Sequence, residues 1–298
     1  MHIRGSTCLG YSVRSTSMKN ITVTAVWIGH ELPPLMGVCL NSWLHHGHKV
    51  ELYTYNDLPD VPYGITCKNA ADIVPLEEIW VDSNGSLAPF ADYFRWTLME
   101  RYPETNYIDA DALCIADDTQ RFGEDDFFAA RQADGTLGIG VLRVPKKLAA
   151  MMRQTYVKPI PLDGTLRLLH HVDKAVDAQF EHVCLSRRLP YHLQRIWAPW
   201  GWGGPYTFYN AVHLAGVDDD LIAPQETVYP FRWQDAIAAL RMPIGLDDDR
   251  FKESFSIHLY GEVLRRKKVS MQDLLRPGSL ARTIFEKYCP TQLTCCKL

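Results

Sequence analysis

Apolar and polar positions along the chain fall into short blocks with two different periods. Residues 21–28, from Ile21 through Val23, Ala25 and Val26 to Trp27 and Ile28, are β-branched and apolar and stop at Gly29, which predicts a central first strand. Pro33 and Pro34 then open a stretch in which Leu35, Val38, Cys39, Ser42 and Trp43 recur at helical spacing as far as Gly47. Residues 49–55 alternate and predict a second strand. Strand, short helix, strand is the opening of a parallel, Rossmann-like sheet, whose ligands collect at the carboxyl ends of the strands. Trp27 stands at such an end, where an indole either packs into the core or stacks on a base.

After a loop with Pro59, Pro62 and Pro75, residues 88–101 predict a helix with Pro89 near its start and Phe90, Phe94 and Leu98 as its core stripe. Asp92 and Arg95 share a different face of it. Such a pair is an ordinary surface contact worth under ~1 kcal/mol, unless the helix carries it to a site. The helix runs directly into the apolar segment 105–115, which contains Asp109 and Asp111. Read as one strand, that segment points both carboxylates the same way. Two converging carboxylates are costly to bury without a cation, and magnesium or manganese bound by one or two carboxylates keeps sites free for substrate phosphates. The alternative is a strand that ends at Ile108 and passes into an Asx-rich turn with both acids solvated.

Farther along, residues 127–131 and 137–144 predict strands joined by a glycine-containing turn, and 146–156, 173–189 and 280–288 predict helices. Residues 159–167 read as a loop suited to a binding or lid segment. The loop at 197–205 contains Trp197, Trp200 and Trp202, packed inward or exposed to stack on sugar rings. His45, His46 and His48 sit at a helix end and match no common zinc spacing, so they read as structural, as do His170 and His171.

Composition narrows the class. The 298 residues are 47% hydrophobic and 22% charged with net charge −4, which suits a globular α/β protein with a sizeable core and excludes a nucleic-acid binder of the basic-patch type. The one basic cluster, Arg265 to Lys268, reads as a solvated helix end, with anionic lipid or a charged acceptor as its other potential contacts. No apolar run approaches the ~20 residues of a membrane span, and no hydrophobic signal core opens the chain. The expectation is a cytoplasmic protein, peripheral at the membrane at most. The eight cysteines form no metal-like Cys-x-x-Cys pair, and reduced thiols are expected. The expected organisation is a leader at 1–20, one domain at 21–288 and a tail at 289–298, whose Cys295-Cys296-Lys297-Leu298 ending is a poor prenylation box. Within the domain, 21–115 and 116–288 are expected to form two halves.

Taken together, Val26-Trp27-Ile28-Gly29, the stretch from Leu40-Asn41-Ser42-Trp43 through His46-Gly47-His48 to Tyr55, Ala91-Asp92-Tyr93-Phe94-Arg95 and Tyr107-Ile108-Asp109-Ala110-Asp111 resemble the DXD-containing glycosyltransferases. These are the family 32 enzymes and their relatives with an α-1,4-glycosyltransferase-type sugar-binding region. The resemblance spans residues 21–115. Gly204-Pro205 and Ser256-Ile257-His258-Leu259-Tyr260 are similar to that family's Gly-Pro helix start and terminal histidine, whereas 120–200 matches loosely. It departs at residues 103–107, where the family often carries a Gly-Gly-Xaa-Tyr turn. What the resemblance implies is a GT-A fold, a UDP-sugar donor, a saccharide or glycan acceptor, a divalent cation (manganese, or magnesium) and retaining transfer of a hexose. In that scheme Trp27 stacks on uracil, Asp92 and Arg95 hold donor hydroxyls and diphosphate, Asp109 and Asp111 take ribose and metal, and His258 meets metal or diphosphate. Two rivals remain: a haloacid-dehalogenase-like phosphatase, whose Asp-x-Asp normally opens the domain, and a sugar-binding protein of this fold without transfer activity.

Overall fold

The computed structural model describes residues 20–117, 119, 122–156 and 202–289. Its centre is a five-stranded sheet in which β1 (Thr22–Trp27) lies between β2 (Lys49–Thr54) and β4 (Asn106–Ile108), with β3 (Thr66–Asn69) beyond β2 and β6 (Val141–Leu142) beyond β4. β3, β2, β1 and β4 run parallel, and β6 closes the edge antiparallel, with Tyr107 opposite Leu142 and Ile108 opposite Val141. The fold class expected from the sequence, a mixed and mainly parallel α/β sheet flanked by helices, is the one observed.

Strand periodicity explains the layering. Val23 and Ala25 of β1, Leu52 of β2 and Ile108 of β4 face one core, while Val26, Tyr53 and Tyr107 face the other. The first core is covered by α1 (Pro34–His45) and by the final helix of the described chain, Leu280–Tyr288. The second is covered by α2 (Ala88–Arg101), α3 (Lys146–Gln154) and α4 (Thr207–Leu214). α1 starts where the proline pair requires, since Pro34 at the first helical position has no N–H to leave unsatisfied. It buries Leu35, Val38, Cys39, Ser42 and Trp43, the positions that the helical spacing selected. α2 and the final helix also match their expected bounds.

Two helical side chains fix the strand that follows the acidic pair. The Trp43 indole N–H donates to the carbonyl of Ala112 at 2.8 Å, and the Ser42 hydroxyl accepts from the Cys114 N–H at 2.8 Å. Both partners lie in β5 (Ala112–Cys114), which pairs antiparallel with β7 (Ser256–His258) and belongs to a separate two-stranded sheet. Residues 105–115 are therefore not one strand: β4 ends at Ile108, and the chain turns before it resumes as β5.

Residues 127–144 pair as the sequence suggests but only in fragments, through bridges Phe128 to Arg143 and Arg131 to Leu137, with Val141–Leu142 as the regular part. The histidines around Gly47 are packing residues. His48 is buried beside Trp43, with ring centroids 5.5 Å apart, and His46 lies against Asp117 and Tyr288. The helix expected at 173–189, the loop at 159–167, His170 and His171, Trp197 and Trp200, the leader before residue 20 and the tail after Cys289 lie outside the described residues. Among the described residues no helix is long and apolar enough to cross a membrane.

Candidate active site

The turn between β4 and β5 is Asp109-Ala110-Asp111, closed by the Ala112 N–H on the Asp109 carbonyl at 2.9 Å. The two acids thus converge through a turn rather than by strand alternation. Nor are they solvated, for their side chains are only 25% and 13% exposed. Each carboxylate divides its oxygens. Asp109 gives Oδ1 to the Arg95 guanidinium at 2.5 Å, and Asp111 gives Oδ2 to the backbone N–H of Gly261 at 2.5 Å. Their remaining oxygens, Asp109 Oδ2 and Asp111 Oδ1, lie 3.3 and 3.4 Å from His258 Nε2. The imidazole reaches this point because β7 pairs His258 with Ala112, and because the Leu259 N–H donates to the Asp111 carbonyl at 3.0 Å.

Glycines make the space. A Cβ on Gly140, whose carbonyl accepts the Asp109 N–H, would lie 2.3 Å from His258 Cδ2 and 3.1 Å from Asp109 Oδ2. A Cβ on Gly261 would lie 3.1 Å from Asp111 Oδ2 and 2.1 Å from Met36 Cε, so glycine lets the chain approach the acid without displacing either side chain. The opposite edge is set by α2. Arg95, 2% exposed, lies over the Tyr107 ring at 4.4 Å and reaches Asp92 Oδ1 at 3.4 Å as well as Asp109. The Asp92–Arg95 pair is therefore buried rather than a surface contact. Gly204, in the turn leading into α4, comes so close that a Cβ would sit 2.9 Å from Asp92 Oδ2.

Burial and charge oppose one another across this cluster. Burial pushes the Asp92 carboxyl up to about 7, because Arg95 only partly offsets it and Asp109 adds repulsion. Burial would raise Asp109 too, but Arg95 and His258 hold it below the usual carboxylate range. For His258, burial works against the charged ring, yet the facing Asp111 and Asp109 raise it above its ordinary value. An unfolded aspartate titrates near ~3.9, so between roughly pH 4 and 7 the folded chain holds a proton on Asp92 that the unfolded chain has released. Stability contributed by Asp92 is then highest below that window and falls as pH rises through it. Asp92→Asn is expected to flatten that slope and to raise the Tm at pH 8 relative to the parent. Melting measured from pH 4 to 8 checks this, and an unaltered slope assigns it to another group.

These side chains line one cavity of about 1190 Å3. Trp27, half-buried, lies on its wall at the carboxyl end of β1, its indole N–H held by the Glu31 carbonyl at 2.7 Å. The basic cluster also borders the cavity, on the short helix α6 (Gly261–Arg266, with α5 the preceding Ala236–Arg241) and the two lysines after it. Glu262 holds Arg265 and Arg266 at 2.7 and 2.8 Å and accepts from the Ser86 hydroxyl at 3.0 Å. Every residue proposed from the sequence for the site, Trp27, Asp92, Arg95, Asp109, Asp111 and His258, borders this single cavity. Gly140 and Tyr229, whose hydroxyl accepts the Gly140 N–H at 3.0 Å, were not singled out. A glycine in a short apolar strand carries a weak signal of close approach, and the tyrosine carries none.

As a donor set, Asp109 Oδ2, Asp111 Oδ1 and His258 Nε2 fit a divalent cation. The three side chains offer ligand atoms all within 4.8 Å of one another, and the second oxygen of each acid is already fixed by the protein.

No family model and no curated protein matches the sequence. Among solved structures, the chain is similar to the WbbM bifunctional glycosyltransferase in its apo form, at 13% identity and a TM-score of 0.34, over 86% of this chain and 50% of that one. It therefore spans about half the length of WbbM. It is also similar to an active-site mutant of LgtC, at 12% identity and a TM-score of 0.32, over 79% of this chain and 86% of that one. Likeness that distant leaves the chemistry to the chain's own residues.

Proposed function

We propose that this chain is a metal-dependent glycosyltransferase that moves a hexose from a UDP-sugar to a saccharide hydroxyl with retention at the transferred carbon. The observation that carries the reading is the convergence of Asp109 Oδ2, Asp111 Oδ1 and His258 Nε2 on the wall of a cavity large enough for a nucleotide sugar. Those three groups would hold manganese or magnesium, and the bound cation would neutralise charge on the departing diphosphate. Arg95 acts first through Asp109, fixing one oxygen so that the other stays aimed at His258, while its own charge lies beside the donor pocket. Asp92, on the same helix, offers a carboxyl to a donor-sugar hydroxyl. Trp27 supplies a ring for uracil, and the apolar wall around it keeps donor and acceptor in place while excluding water. We assign no base or covalent nucleophile.

The test is UDP release from a panel of UDP-sugars with and without manganese, run on the parent, Asp111→Asn and His258→Ala beside a generic phosphatase substrate. Both variants are expected to lose at least ~100-fold in manganese-dependent turnover while melting within a few degrees of the parent. Undiminished turnover in both removes the metal site, and cleavage of the phosphatase substrate alone favours the hydrolase rival.

Trp27→Ala is expected to weaken UDP and UDP-sugar equally, by about 1–3 kcal/mol, because stacking reads the base and not the sugar. Calorimetric titration of both ligands checks it; a loss confined to UDP-sugar would relocate the base.

A further inference from the structure

The cavity has a second aromatic surface that neither the cation donors nor Trp27 uses. Trp233 borders it and is 42% exposed, an uncommon state for the largest apolar side chain. It begins a short turn, Trp233–Asp235, that leads into α5, and it follows Phe231 by two residues. The Phe231 carbonyl accepts the Tyr260 hydroxyl at 3.4 Å, and the two rings lie 6.3 Å apart.

Tyr260 is itself held in the left-handed region at φ 54 and ψ 52, a conformation that is costly for a bulky side chain and persists where its surroundings enforce it. It lies between His258 and Gly261, both members of the acid cluster. That backbone places the phenol ring edge-on to the His258 imidazole at 4.6 Å, with Tyr229 6.4 Å away. Tyr229, Tyr260 and Trp233 all border the cavity and give it an aromatic wall beside His258. Gln132 borders the same cavity and brings an amide donor and acceptor.

This surface suits one ligand chemistry. The face of an aromatic ring is negative and repels phosphate, so the wall is no second seat for a diphosphate. A hexose ring has a flat C–H face that lies against an indole and an edge of hydroxyls that an amide can bond. From these residues we infer that Trp233, Tyr260 and Gln132 form a saccharide-binding subsite, with Trp233 as the stacking platform. Calling its occupant the acceptor rests on the glycosyltransferase reading above; the sugar-binding chemistry does not.

The experiment is calorimetric titration of maltose, lactose and cellobiose into the full chain, with UDP in manganese titrated separately. It is run on the parent, Trp233→Ala, Trp233→Phe and, as a control, Tyr63→Ala. Tyr63 is fully exposed at 102% and does not border the cavity. The parent should bind at least one disaccharide, Trp233→Ala should weaken it at least tenfold, about 1.4 kcal/mol, and Trp233→Phe should recover much of the loss. UDP affinity and Tm should stay near the parent values in all variants. Saccharide binding without UDP binding in the parent supports the subsite and rejects the donor reading. The subsite is overturned if the parent binds none of the three sugars, if Trp233→Ala binds them as well as the parent does, or if that variant loses UDP and sugar together.

Discussion

Arg95→Met is expected to cost about 3–5 kcal/mol of folding stability, a large share of the ~5–15 kcal/mol that holds a typical domain together. Arg95 is almost wholly buried, and its guanidinium is the cation shared by Asp92 and Asp109. Methionine matches the aliphatic stem and keeps contact with the Tyr107 ring, so the packing loss is small; the cost comes from stranding a buried carboxylate. Asp92 is already pushed up to about 7 with Arg95 present, so it would become neutral more readily once the guanidinium is gone. Asp109, held below the usual range by that same guanidinium, would bear the larger penalty. Urea unfolding of Arg95→Met, of Asp109→Asn and of the double variant measures this. The double variant should recover a substantial part of the loss; a single variant within about 1 kcal/mol of the parent would mean that the pair is not what anchors the turn.

The second large effect needs only one methyl group. Gly140→Ala places a Cβ 2.3 Å from His258 Cδ2 and 2.6 Å from Nε2, and because alanine has no rotamer to escape with, the neighbour or the backbone must move. Either the imidazole swings away from the acids or β6 moves off β4, and both separate the three donor atoms. Manganese affinity is expected to fall by about 10–100-fold, the range seen when groups that orient metal ligands are removed. Overpacking should cost a further 1–3 kcal/mol of stability, roughly. Manganese titration and melting on the same variant separate these effects. Manganese binding at the parent's affinity would show that His258 is dispensable to the site and would leave the two aspartates to hold the ion alone.

Most of the framework was readable from local pattern. β1 and α1 run up to glycines, α1 and α2 have proline starts, β2 alternates, and the Leu280–Tyr288 helix is amphipathic; for these elements local preference and tertiary packing agree. Hydrophobic runs also identified the segment with Asp109 and Asp111, yet they misassigned its shape. An apolar run of that length satisfies strand periodicity as a whole; the Asx residues also allow a turn after Ile108, but nothing local decides between the two or marks Ala112 as the start of another strand. The break exists because Trp43 and Ser42 hold β5 from α1, and β7 pairs with it from a position nearly 150 residues away in the chain.

The sequence by itself therefore determined the strand-helix-strand opening, the helix that bears Asp92 and Arg95, and the identity of the acidic pair. Side chains within a few residues of each other set those features, and their spacing is visible without a fold. Only the tertiary structure decided that Asp92 and Arg95 are buried rather than solvated, that His258 faces both acids, that Gly140 leaves room for it to do so, and that the Gly261 N–H reaches Asp111. It likewise selected Trp233 and Tyr260 from among many aromatics. Burial, close approach and the division of each carboxylate's oxygens between two partners are properties of distant segments brought together. No period along the chain encodes them, because the partners that create them lie on different elements.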